Sequence, residues 1–118
     1  MSKIINRGDM YYADLNPVIG SEQGGVRPVL VIQNNRGNRY SSTVIVAAMS
    51  ARIAGKTNLP THYKVRVQEN LPEESLVLLE QIRTIDKQRL QNYIGQLGSA
   101  DMKQVDRCLA VSLGLKII

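Results

Sequence analysis

Residues 20 to 34 read Gly20-Ser21-Glu22-Gln23-Gly24-Gly25-Val26-Arg27-Pro28-Val29-Leu30-Val31-Ile32-Gln33-Asn34, a polar hinge rich in glycine that runs directly into an apolar strand. Gly24 and Gly25 open backbone angles closed to other residues, while Pro28 fixes its own φ and biases Arg27 towards an extended conformation. Arg27 is therefore held by its own neighbours. A permanently charged guanidinium, with its donors in a rigid fork, suits a phosphate better than other side chains do. The competing structural use is an ion pair with a carboxylate at a strand end. Val29 to Ile32 is a continuous β-branched and aliphatic run, which predicts a central strand buried on both faces.

Upstream, Met10 to Leu15 predicts a first strand, and Asn16-Pro17 with Gly20 opens a loop long enough to move over a site. Arg7-Gly8-Asp9 spells an adhesion tripeptide, but a match this short arises by chance and the chain shows no secretion signal. Downstream, Asn34 to Arg39 reads as a turn with two exposed arginines, and Thr43 to Met49 as the next strand, ending at Ser50. Successive strands usually lie side by side, so the end of this one returns towards Arg27 and brings Ser50 with it. The alternative for Ser50 is a hydroxyl bonded to its own backbone.

Arg52 to Pro60 is a basic connection, and His62 to Val67 alternates polar with apolar, placing His62, Lys64 and Arg66 on one face of a half-exposed strand. A lone histidine in such a row predicts a solvated surface group. Ser75 to Leu79 gives a second buried strand. Glu80 to Leu90 is polar, with Asp86 placed to cap a short helical turn; the segment is either an edge strand on a solvated surface or a groove wall presenting Gln81 and Arg83. Tyr93 to Leu97 predicts a last short strand. A helix follows, with Ser99 as N-cap, Asp101 in the first turn, and Met102, Val105, Leu109 and Leu113 as a stripe facing the core. Several strands with no long helix between them argue for a compact antiparallel sheet or barrel.

The chain has 118 residues, enough for one domain with its own core. Lys and Arg number 15 against 10 Asp and Glu, a net charge of +5 that favours polyanionic partners. No apolar run approaches the roughly 20 residues that span a bilayer, and Met1 to Arg7 leaves no room for a signal-peptide core, so a cytoplasmic protein without a membrane partner is expected. The single cysteine, Cys108, excludes an internal disulfide and sits among Val105, Leu109 and Val111, where a buried thiol is expected. The sequence carries no Walker loop, no dinucleotide fingerprint and no paired Cys or His spacing for zinc. Asp9, Asp14, Glu22 and Glu80 are scattered singly rather than gathered for two metal ions, so neither cofactor nor metal is expected. Phosphodiester cleavage is still open to such a chain where the substrate supplies the nucleophile, as the 2′-hydroxyl of RNA does.

Four stretches, Arg7-Gly8-Asp9-Met10-Tyr11, Gly20 to Val31, Val46-Ala47-Ala48 and Leu79-Glu80-Gln81-Ile82-Arg83-Thr84-Ile85-Asp86, resemble in the same order the MazF/PemK-type toxin endoribonucleases, or mRNA interferases, of Gram-positive toxin–antitoxin systems. The resemblance covers nearly the whole chain, which reads as a single toxin domain over 1–118. It implies a mainly β, SH3-like small barrel with a C-terminal helix, the fold of MazF/PemK/CcdB-type toxins. It also implies a homodimer, inhibition by a cognate antitoxin of MazE type, and metal-independent cutting of single-stranded mRNA at a short sequence. The implied chemistry is attack by the 2′-hydroxyl, giving a 2′,3′-cyclic phosphate and a 5′-hydroxyl.

By position, the family's essential arginine falls on Arg27 and its companion hydroxyl, commonly a threonine, on Ser50. Glu22 is a candidate general base or loop contact, and Gln23, Asn34, Arg52, Lys64, Gln81 and Arg83 are candidate RNA contacts. An arginine with a pKa above about 12 is a poor base, so the proton-transfer groups stay open. Two other classes share the architecture: a toxin that binds and poisons a topoisomerase, and an RNA-binding barrel without catalysis. Arg27 together with Ser50 favours the ribonuclease.

Overall fold

The central strand begins before its apolar run does. In the computed structural model, which describes residues 4–51 and 59–116, β2 spans Val26–Val31 and pairs antiparallel with β1, Asp9–Asp14. Arg27 lies opposite Ala13 and Pro28 opposite Tyr12, so pairing with β1 carries the hinge residues into the sheet. The missing N–H of Pro28 is tolerated because pairing with β3, Thr43–Ser50, starts one residue later, at Val29 opposite Ala48.

Three further strands, β4 (His62–Val65), β5 (Ser75–Asp86) and β6 (Leu90–Gln96), complete a sheet of order β4-β5-β3-β2-β1-β6. All its pairings are antiparallel, as the strand-rich sequence predicts. With β4 and β6 at its edges, the curled sheet is a half-barrel. Successive side chains on a strand point to opposite faces, and both faces are packed here. Met10, Leu30, Ala47, Met49 and Val77 join Val105 of α2 (Ser99–Leu113) in one core, while Tyr11, Ala13, Val29, Val31, Val46 and Ala48 form the other. Burial on both sides is why the β2 run shows no polar alternation.

Several local expectations are corrected. The stretch read as a turn at Asn34 to Arg39 opens a short helix, α1 (Asn35–Tyr40): the Asn34 side chain accepts the Gly37 N–H at 2.8 Å as a cap. Buried Asn38 ties the same helix back by donating to the Gln33 carbonyl at 2.9 Å. The polar residues from Glu80 to Asp86 are not a separate strand. They continue β5, but β4 pairs with this strand only from Ser75 to Leu78, so among the described residues Ile82 to Asp86 pair with β3 alone. Asp86 does cap, accepting the Gln88 N–H at 2.8 Å over a 3-10 turn at Lys87–Arg89.

At the last helix the cap is Gly98, with no side-chain bond, and Ser99 is already helical. Met102, Val105 and Leu109 pack against the core as predicted, but Leu113 is 56% exposed. Helix α2 packs on β4 and β5; in its last turn Ala110 stays buried while Val111 and Leu113 face solvent. Cys108 is half-buried, which pushes its thiol pKa up, and the thiol donates to the His62 carbonyl at 3.5 Å.

The tripeptide at residues 7–9 is structural. Arg7 donates to the Ile32 carbonyl at 2.8 Å and pairs with Asp106 of α2 at 2.6 Å. Gly8 takes φ 97°, and buried Asp9 accepts from the Asn6 N–H and from Gln96 at 2.8 and 3.0 Å.

Tyr63 joins β4 to α2 by donating its hydroxyl to Asp101. Burial, and then the bond to Asp101 and its charge, push the phenol pKa up from 10.0 to about 12. Because the folded value is raised, the contribution of this group to stability is complete below pH 10.0 and is lost as pH climbs through about 12. Tyr63→Phe should therefore lower stability at neutral pH by about 1 kcal/mol and flatten the alkaline fall over that window, as read by thermal melts at stepped pH.

Candidate active site

The β1–β2 loop is built onto the sheet at several points. Its base is closed by the Leu15 N–H donating to the Gly25 carbonyl and the Gly25 N–H to Asn16 Oδ1, each at 3.0 Å. Arg83 donates to the Leu15 carbonyl, and Arg89 donates to those of Asp14 and Asn16 at 3.1 and 2.5 Å. Both glycines of the hinge are needed. A Cβ on Gly24 would come within 2.6 Å of Val18 and 2.8 Å of Asn16, and Gly25 sits at φ +75°.

This platform grips Arg27. Its Nε donates to the Gly24 carbonyl at 2.7 Å and its Nη1 to Gln23 Oε1 at 2.6 Å. Pairing of β2 with β3 ends at Val29 opposite Ala48; Arg27 and Ser50 each lie two residues beyond that pair, so strand alternation puts both side chains on the same face of the sheet. Ser50 ends β3, is 3% exposed, and lies opposite Leu76 of β5, which in turn lies opposite Lys64 of β4. Ser50 and Lys64 thus share one row across the sheet, on the face that also carries Arg27. Arg83, opposite Val46, belongs to the same face.

Beside this row lies a polar cluster in which an exposed carboxylate covers a buried imidazole. His62, read from the sequence as a solvated group, has a side chain only 3% exposed and places Nε2 at 2.8 Å from Glu80 Oε2. Thr61 donates to the other carboxylate oxygen at 2.9 Å. Burial of Glu80 opposes its charge, but bonds from His62, the backbone and Thr61, together with the attraction of His62, outweigh burial and lower its pKa. The partner that buries His62 comes from β5, out of reach of any local pattern.

The model of PemK-like, MazF-like toxins of type II toxin–antitoxin systems matches residues 6–113. The chain belongs to that family. Endoribonuclease EndoA of Bacillus subtilis (strain 168) is 57% identical over 113 residues, with 95% of this chain and 97% of that protein covered. An endoribonuclease from Mycobacterial species, solved in complex with its cognate antitoxin, is 26% identical with a TM-score of 0.78, covering 97% of this chain and 99% of its own. MazF (Form-I) from Deinococcus radiodurans shares the fold at a TM-score of 0.81 with 20% identity, covering 97% and 100%.

Within this toxin the other sequence-predicted site residues fall as follows. Glu22 accepts the Ile19 N–H at 2.9 Å inside a loop turn, and Gln23 meets Arg27. Gln81 Oε1 accepts the Gln23 N–H at 3.3 Å, and its amide nitrogen donates to the Ser21 carbonyl at 3.5 Å. Asn34 is occupied with its cap, and Lys64, 49% exposed at its side chain, lies 3.7 Å from Glu74. Arg52 lies outside the described residues. Among the described residues no helix is long and apolar enough to cross a membrane.

Proposed function

We propose that residues 1–118 act as one toxin endoribonuclease domain that cuts single-stranded mRNA at a short sequence in the cytoplasm. The ribose 2′-oxygen attacks the adjacent phosphorus, the bond to the 5′-oxygen breaks, and the products are a 2′,3′-cyclic phosphate and a 5′-hydroxyl. The observation that carries this reading is Arg27, oriented by the loop and on the same sheet face as Ser50. The guanidinium faces the charge that develops on the phosphorane, and the Ser50 hydroxyl, buried in the free protein, donates to a non-bridging oxygen once bound RNA has displaced what covers it. Glu22 accepts the Ile19 N–H through Oε1, which orients the carboxylate and leaves acceptor capacity on it to take the proton from the 2′-hydroxyl. Lys64 and Arg52 follow the phosphate backbone.

A toxin of a type II system is paired with an antitoxin, here of MazE type, and a net charge of +5 favours an acidic, flexible segment that folds on binding. RNA and antitoxin compete for the Arg27 face, and the toxin acts as a homodimer with the groove beside the subunit interface.

Incubation of a long single-stranded RNA with the purified protein in excess chelator tests the reading. Discrete cuts at one short sequence, with cyclic-phosphate and 5′-hydroxyl ends, are expected. Intact RNA alongside inhibited supercoiling would instead identify a topoisomerase poison, and intact but tightly bound RNA a binding barrel.

A further inference from the structure

We propose that Gln23 and Gln81 form a relay that positions the Arg27 guanidinium, and that neither glutamine reads RNA bases. The geometry is continuous from the sheet to the charge. Gln81 Oε1 accepts the Gln23 N–H at 3.3 Å, and its amide nitrogen reaches the Ser21 carbonyl at 3.5 Å, so one side chain brackets the loop at two points. Gln23 then turns its own Oε1 to Arg27 Nη1 at 2.6 Å, while the adjacent Gly24 carbonyl takes Nε at 2.7 Å. Two edges of a planar fork are thereby fixed, which sets its plane as well as its position.

The anchor of the relay is rigid for a reason visible in the register. Between the pairs Ala47 with Ile82 and Met49 with Val77, β3 advances two residues while β5 advances five. The extra residues of β5 form an irregularity that includes Glu80 and Gln81. Bulges of this kind re-aim side chains and collect beside active sites. Glu80 is clamped from the β4 side by His62 and Thr61 at 2.8 and 2.9 Å, so the backbone that aims Gln81 is itself pinned. Resting on the role given to Arg27 above, the relay explains why a loop residue and a sheet residue 58 positions apart meet.

A positioning role and a recognition role separate in the kinetics. Gln23→Ala should lower the cleavage rate of bound RNA on the order of tenfold to a hundredfold, because a small misplacement of a charge-stabilising group is costly. Affinity for a 2′-deoxy, non-cleavable RNA should stay within about twofold, and Gln81→Ala should fall in the same direction by less. Gln23→Ala should also cost less than about twofold when added to Arg27→Ala, since a relay has nothing left to aim. Gln23→Met keeps length without the acceptor and gives the same readout should alanine disturb the loop.

Weakened RNA affinity with an unchanged rate for bound RNA, or losses that multiply in the double variant, would overturn the relay. An essential Arg27 with a fully active Gln23→Ala would also overturn it while leaving the endoribonuclease reading intact. A fully active Arg27→Ala would remove the role of Arg27 itself.

Discussion

Arg27→Ala should cut RNA on the order of 10² to 10³ times more slowly than the wild type, the range found when one donor to a developing oxyanion is removed. The loss should appear in the rate of bound RNA, because the guanidinium acts on charge present only in the transition state. The fold should survive. Arg27 is half-buried, two of its side-chain hydrogen bonds go to the loop, and the neighbouring core rests on Val29, Leu30 and Val31 of the same strand. Ser50, on the same face of the sheet, gives the companion test. Ser50→Ala removes a hydroxyl and should also lose activity, whereas Ser50→Thr keeps the hydroxyl and should retain most of it. Single-turnover rates beside thermal melts separate loss of chemistry from loss of structure. Alanine variants that stay folded and cut at wild-type rates would refute both roles.

Much of the fold was legible because its strongest signals are local. The β-branched run Val29 to Ile32, the strand Thr43 to Ser50 and the amphipathic spacing of Met102, Val105 and Leu109 are properties of contiguous residues. Tertiary pairing decided what was missed. The extension of β2 back to Val26 comes from pairing with β1, and the length of β5 through polar Glu80 to Asp86 comes from pairing with β3. Helix α1 was hidden by Gly37 and by a run of asparagines and arginines with weak helix preference, although Asn34 carried a cap signal.

Ser99 had the chemistry of a cap, yet the helix already includes it, leaving Gly98 at the boundary. At the site, the glycine hinge pointed to Arg27, and strand adjacency pointed to Ser50. The grip of Gln23 and Gln81 on Arg27, and the burial of His62 against Glu80, depend on partners brought in by the β5 irregularity. A glutamine in a basic groove offers both donor and acceptor, so residue type alone does not separate aiming an arginine from reading a base.

The most direct measurement replaces one atom of the substrate. If the protein orients RNA and stabilises charge while the substrate supplies its own nucleophile, a 2′-deoxy nucleotide just upstream of the scissile phosphate removes the attacking oxygen and leaves the phosphate contacts in place. Cleavage at that bond should be abolished, with no detectable product over many half-lives of the all-ribose strand. Binding of the same strand should weaken by no more than a few-fold, since a single hydroxyl contact is lost. Cutting of the 2′-deoxy strand at the all-ribose rate would contradict the account, because the nucleophile would then be water or a protein group.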